Sequence, residues 1–338
     1  MLEHGGRLRA AAQDYGIPLA NWLDLSTGIN PEAYPVPPLA LECWNRLPEE
    51  GDGLEDAAAR YYGNSRLLAL PGSQAAIQGL PGLFKPAVVA CVTPIYEEHT
   101  QAWERAGHRL RRLPNLSRAL AAATPIVLLC NPNNPTAAKL SRDEVLAAAG
   151  QLQKRGGWLI VDEAFGDSVP ENTVTDRAGS DAAPNLIVLR SLGKFFGLAG
   201  ARVGFVFGDA EKLALLREKL GPWALSHPAR VVARGALADS AWQTATRRQL
   251  AIRSQRLAEL LAPFGEVAST ALFSTVTVPN VMTIFEHFAR RGILIRRFDQ
   301  YGLLRFGLPG DEAQWQRLSS ALAEIPELEI GAASCVLS

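Results

Sequence analysis

The chain has 338 residues, 48% of them hydrophobic and 20% charged, enough for a large core and, as a soft prior, for two domains. Lys+Arg and Asp+Glu are both 34, so the formal net charge is +0, and no bulk field points to nucleic acid or to an anionic membrane surface. Four scattered cysteines (Cys43, Cys91, Cys130, Cys335) without CxxC pairing read as reduced thiols of a cytoplasmic protein, and no run approaches the ~18 apolar residues of a spanning helix.

Residues 1 to about 35 read as an arm: His4-Gly5-Gly6-Arg7, a short amphipathic helix over 8–15, then Trp22-Leu23-Asp24-Leu25-Ser26-Thr27-Gly28-Ile29-Asn30-Pro31 as a strand entering a turn. Pro35-Val36-Pro37-Pro38 breaks the chain, and 54–62 is a helix stopped by Gly63. From residue 67 a strand-then-helix rhythm sets in: strand 67–70, then Gly72-Ser73-Gln74 opening a helix over 75–83. A helix start behind a tight glycine turn offers N–H groups and a positive dipole end to a phosphate.

Strand 88–93 ends at Pro94-Ile95-Tyr96-Glu97, where the ring of Tyr96 can stack on a flat ligand. Strand 126–130 runs into Asn131-Pro132-Asn133-Asn134-Pro135-Thr136, a rigid turn able to aim an amide. After a helix over 142–155, strand 158–161 delivers Asp162-Glu163-Ala164-Phe165. An acid at a buried strand end is costly unless paired, so Asp162 calls for a cationic partner.

The apolar run Leu186-Ile187-Val188-Leu189 then leads to Ser191-Leu192-Gly193-Lys194-Phe195-Phe196-Gly197-Leu198-Ala199-Gly200-Ala201-Arg202, around which the chain is organised. A lysine among apolar neighbours is a usable nucleophile toward a carbonyl. An arginine on the same loop can grip a phosphate with its planar fork, and together they suggest an aldehyde carrying a phosphate, for which pyridoxal 5'-phosphate (PLP) is the obvious candidate. Beyond it, 213–219 is helical, Pro222-Trp223 is a break, and 229–261 reads as one long helix able to bridge two domains. The segments 266–278, 284–291, 293–297 and 303–306 suggest a small α+β domain in which Arg296 and Arg305 each follow apolar strand residues.

Asn134 in its NPxNP turn, Asp162 in DEA, Ser191 and Lys194 in SxxK, and Arg202 in GxR fall in order across nearly the whole chain. This series resembles the fold type I PLP enzymes of the aspartate aminotransferase superfamily. The resemblance implies an α/β fold with a mostly parallel central sheet, helices on both faces and a small α+β domain. It divides the chain into an arm over 1–35, a large PLP-binding domain over 36–225, and an interdomain helix with a small domain over 226–338. It also implies that Lys194 bonds the cofactor aldehyde and moves protons at the substrate Cα. Asp162 would pair with the pyridine nitrogen, Asn134 donate to the ring oxygen and Tyr96 stack on the ring, with Phe165 beside it. Ser73, Gln74, Ser191 and Arg202 would hold the cofactor phosphate.

The HGG opening, the segment 25–31, Asp162-Glu163-Ala164-Phe165, Pro222-Trp223 and Ile293-Leu294-Ile295-Arg296 resemble more narrowly the threonine-phosphate decarboxylases, relatives of the histidinol-phosphate aminotransferases. That likeness implies a carboxy-lyase making (R)-1-aminopropan-2-yl phosphate from L-threonine O-3-phosphate for cobalamin, with a histidinol-phosphate-like aminotransferase as the alternative. His4, Gly5, Gly28, Asn134, Arg296 and Arg305 would meet the substrate, Arg305 through its carboxylate. A homodimer is expected, with no metal, nucleic acid or membrane partner. Where related aminotransferases carry a tyrosine, Phe165 has no hydroxyl to donate, and their Tyr-Pro motif stands here as Leu47-Pro48.

Overall fold

A computed structural model describes residues 4–325, which fall into two compact units: 33–245, and 4–32 together with 246–325. The larger unit is built on a seven-stranded sheet in the order Leu67–Leu70, Gly204–Phe207, Leu186–Ser191, Trp158–Asp162, Ile126–Cys130, Val88–Val92, Arg109–Leu113. All neighbours run parallel except Gly204–Phe207, which is antiparallel to both strands beside it. The central runs are apolar without alternation because both sets of side chains are buried: Leu128, Ile160 and Ile187 on one face, Val127, Val161 and Val188 on the other. Helices Ser73–Gly79, Glu97–Arg105 and Ala210–Leu220 supply the apolar partners of the first face through Ile77, Trp103 and Leu216. Sequential strand and helix therefore bring the strand ends after 130, 162 and 191 side by side.

Local chemistry sets the helix limits. Gly63 ends Leu54–Tyr62 at φ 70°, and Ser141 with Glu144 forms a capping box at the start of Arg142–Gln153. The helix expected over 75–83 begins at Ser73 and tightens to a 3₁₀ turn at Leu80–Leu83, where Pro81 has no N–H to give. The single helix expected over 229–261 is two, His227–Ala238 and Ser240–Leu261. Asp239 between them turns its carboxylate onto the N–H of Trp242 at 2.9 Å, ending one helix and capping the next. His227–Ala238 packs on Leu54–Tyr62, and Arg230 there binds Asp52 at 2.7 Å and Glu55 at 2.7 Å, so this helix belongs to the larger unit.

The smaller unit has a four-stranded antiparallel sheet in the order Arg296–Phe298, Leu303–Gly307, Phe273–Thr277, Val267–Ser269, and a parallel pair of Leu23–Asp24 with Ile293–Leu294. Helix Leu8–Tyr15 packs through Ala11 against Trp22, Ala289 and Leu294, which anchors the arm. Cys335 lies outside the described residues; Cys43, Cys91 and Cys130 are free thiols. No helix among the described residues is long and apolar enough to cross a membrane.

Candidate active site

In the larger unit, Asp162 closes its strand level with Cys130 on one side and Leu189 on the other, 5% exposed. Its Oδ1 accepts the Ala164 N–H at 2.9 Å, and its Oδ2 pairs with His99 Nε2 at 2.8 Å. His99 is the partner that burial of this acid demands. It stands in the first turn of Glu97–Arg105, three residues after Tyr96, whose ring it meets edge-on at 6.2 Å. Burial raises the Tyr96 hydroxyl to a pKa of about 12, so this ring stays neutral.

Phe165, three residues past Asp162, is buried and turns its ring toward Lys194, with Nζ 5.5 Å from the centroid. Lys194 is half-buried in the turn after Leu186–Ser191. At the foot of that turn Ser191 is paired in register with Gly204. A Cβ at Gly204 would stand 2.5 Å from the Ser73 backbone nitrogen, so glycine is what lets the start of helix Ser73–Gly79 approach this strand. Arg202 takes a left-handed backbone (φ 55°, ψ 52°), and its guanidinium fills the space over Gly72, where a Cβ would lie 2.5 Å from Nη2. Ser73, Ser191 and Arg202 thus converge. Gln74 turns its amide elsewhere, donating to Glu98 at 2.6 Å.

The turn carrying Asn134 is braced on both sides. Asn131 exchanges two hydrogen bonds with Leu140 at 3.0 and 2.9 Å, and Asn133 Nδ2 donates to the Pro94 carbonyl at 2.9 Å, tying this turn to the loop of Tyr96. Behind the strand ends lies a fully buried charge group. Arg190 binds Glu163 at 2.9 Å and Asp167 at 2.6 Å, with its guanidinium carbon 4.8 Å from the Tyr62 ring centroid. Glu163 also accepts the Val174 N–H at 2.8 Å and the Thr175 hydroxyl at 2.7 Å. Burial lifts its carboxyl above the ordinary range, and the Arg190 charge opposes that lift.

The donor set fits a flat phosphate-bearing aldehyde. A carboxylate held by a histidine suits a basic ring nitrogen, an amine suits the aldehyde, and two hydroxyls with a guanidinium suit a dianion.

The smaller unit carries a second constellation. Gly6 N–H donates to Ser26 Oγ at 2.7 Å, Ser26 Oγ donates to Asp24 at 2.5 Å, and the Ser26 carbonyl accepts from Arg305 at 2.7 Å. A Cβ at Gly5 would come within 2.3 Å of that same carbonyl, so the glycine lets the arm lie on Ser26. His4, Ser26 and Arg296 share the lining of a cavity of about 330 Å³ with Arg7, Tyr15 and Arg297. Arg296 and Arg305 face each other directly across antiparallel strands, and Gly28 is buried in the loop after Leu23–Asp24. His99, Asn133, Ser26 and the Arg190 group are residues that motif reading passed over. For the Arg190 group the signal was an arginine closing the apolar strand Leu186-Ile187-Val188-Leu189-Arg190.

Residues 49–330 match the family "Aminotransferase class I and II". The chain is 48% identical over 330 residues to a threonine-phosphate decarboxylase of Pseudomonas aeruginosa, covering 97% of this chain and 99% of that one. It is 40% identical over 334 residues to a threonine-phosphate decarboxylase of a Sinorhizobium species, with 95% and 98% covered. Among solved structures it is similar to histidinol-phosphate aminotransferase from Sinorhizobium meliloti in complex with pyridoxal-5'-phosphate, at a TM-score of 0.83 and 22% identity over 96% of this chain and 98% of that one.

Proposed function

The chain belongs to the class I and II aminotransferase family, and from that premise we propose that it is a PLP-dependent carboxy-lyase. It converts L-threonine O-3-phosphate to (R)-1-aminopropan-2-yl phosphate and carbon dioxide, a step of cobalamin biosynthesis. The observation that carries the substrate is the cross-strand pair Arg296 and Arg305. Directly opposed residues share a face of the sheet, so two guanidinium forks stand side by side, and this substrate brings both a carboxylate and a phosphate. The full-length likeness to two threonine-phosphate decarboxylases supports the same substrate.

When bound, PLP supplies an aldehyde for the substrate amine and a protonated ring that accepts the electrons of a breaking Cα bond. The chain's residues do the rest. Lys194, in the turn beside the Phe165 ring, is the nucleophile and the mover of protons. Asp162, fixed by His99 and the Ala164 N–H, is the anion that keeps a ring nitrogen protonated. Ser73, Ser191 and Arg202 hold the cofactor phosphate, at roughly 1.5–3 kcal/mol per charge-assisted bond. The backbone of Gln74 belongs to this group, since its amide is engaged with Glu98. Tyr96 and Phe165 bound the ring, and Asn134 donates to its oxygen.

The grip on the two anions would set the rotation of the substrate about Cα, and with it whether carboxylate or hydrogen is lost. Arg305 takes the carboxylate, and His4, Gly5, Gly28 and Arg296 take the phosphate end. Remote binding energy sets the rotation.

We further infer a cytoplasmic homodimer. Leu41, Trp44 and Leu47 are exposed in one segment of the larger unit, and Trp223 is exposed as well, the kind of apolar surface a second copy covers.

The test uses PLP-loaded protein with L-threonine O-3-phosphate and no keto acid, measuring carbon dioxide and the amine. Catalytic release that vanishes in Lys194→Ala supports the reading. No release, with amino transfer from histidinol phosphate to 2-oxoglutarate, overturns it.

A further inference from the structure

One face of the small sheet can be read from its register. Arg296 pairs with Arg305 and Phe298 with Leu303, while Thr275 pairs with Arg305 from the other side. Side chains two apart on a strand share a face, so Arg296 and Phe298 stand together, and Phe298 is the diagonal neighbour of Arg305. The rings follow this layout. The Arg296 guanidinium carbon lies 5.2 Å from the Phe298 centroid, and that of Arg305 lies 5.7 Å from the same centroid and 5.1 Å from that of Phe273. Arg305 thus has an aromatic ring on each side and shares one of them with Arg296.

A guanidinium is drawn to the negative face of a ring, and the attraction grows as water is removed. One half-buried ring that attracts two cations offsets part of their mutual repulsion. It also fixes the planes of both forks, so that their N–H edges are presented in set directions before any anion arrives. The entropy of ordering two long side chains is then lost on folding rather than on binding.

We propose that Phe298 is a positioning residue that holds Arg296 and Arg305 as one preorganised clamp for a substrate with two anionic groups. The proposal rests on the substrate reading above, and it concerns a residue that itself makes no bond to the substrate. A ring that merely filled the core would affect folding and turnover; a ring that presets two cations affects affinity for the dianion.

The test compares the holoenzyme with Phe298→Leu and Phe298→Tyr, each alone and with Arg296→Ala. Decarboxylation gives KM and kcat for L-threonine O-3-phosphate, and calorimetry gives the affinity of the holoenzyme for inorganic phosphate. Phe298→Leu is expected to raise KM and the phosphate Kd about ten-fold with kcat within two-fold. Phe298→Tyr, which keeps the ring, stays within two-fold of the parent, and the Leu effect is clearly smaller than ten-fold in the Arg296→Ala background, where only the Arg305 contact remains. An unchanged KM and Kd in Phe298→Leu, a loss borne by kcat, no rescue by tyrosine, or full additivity with Arg296→Ala each overturns it. If the parent releases no carbon dioxide, the substrate reading fails, and the phosphate affinities still decide the role of Phe298.

Discussion

Replacing Arg190 with methionine tests the buried charge group behind the strand ends. The arginine is 2% exposed and makes two ion pairs, at 2.9 Å to Glu163 and 2.6 Å to Asp167. Methionine fills much of the volume but leaves two carboxylates in an apolar interior. Breaking a buried pair in this way costs about 3–5 kcal/mol, and two charge-assisted bonds at roughly 1.5–3 kcal/mol each give the same range. We expect a loss of about 4 kcal/mol near neutral pH, a large part of the total stability of an ordinary domain. The pH dependence has a definite sign. Burial raises the Glu163 carboxyl above its ordinary value of 4.5, against the pull of Arg190. The folded state therefore keeps a proton that the unfolded chain has released, and stability falls as pH rises through the window above 4.5. Without the cation that window extends upward, so the Arg190→Met penalty is larger at pH 8 than at pH 5, and Glu163→Gln in the same background narrows the difference. Urea midpoints by tryptophan fluorescence at both pH values measure this. A loss under about 1 kcal/mol, or one equal at both pH values, refutes the reasoning.

Two further substitutions separate the constellations. His99→Phe leaves Asp162 buried without the 2.8 Å partner and should weaken PLP retention about ten-fold, read by dialysis and cofactor absorbance, whereas His99→Gln keeps a donor and most of the affinity. Ser26→Ala removes the 2.7 Å acceptor of the Gly6 N–H; one neutral hydrogen bond contributes roughly 0.5–1.5 kcal/mol, so KM for L-threonine O-3-phosphate should rise about two- to ten-fold with kcat little changed.

What the sequence made legible follows from where the constraint is local. The strands at 67–70 and 126–130 match residue for residue because a strand buried on both faces must be apolar throughout, and their ends mark where polar residues gather. The need of Asp162 for a partner was equally local, as a matter of burial; the partner's identity was not. His99 lies 63 residues earlier and reaches the acid only because strands Ile126–Cys130 and Trp158–Asp162 are parallel neighbours, with the helix of His99 passing over them. Asp239 misled for the opposite reason. Its short acidic side chain fits a polar helix face as well as it fits a cap, and tertiary packing against 54–62 decided for the cap. The two arginines show the limit most clearly. Each followed apolar strand residues and was expected at the substrate only from the resemblance, and their opposition depends on the register set by the turn over 299–302. A one-residue slip in that turn would move Arg305 to the other face of the sheet and dissolve the pair. The chemistry of this unit therefore depends on a turn that contributes no functional side chain.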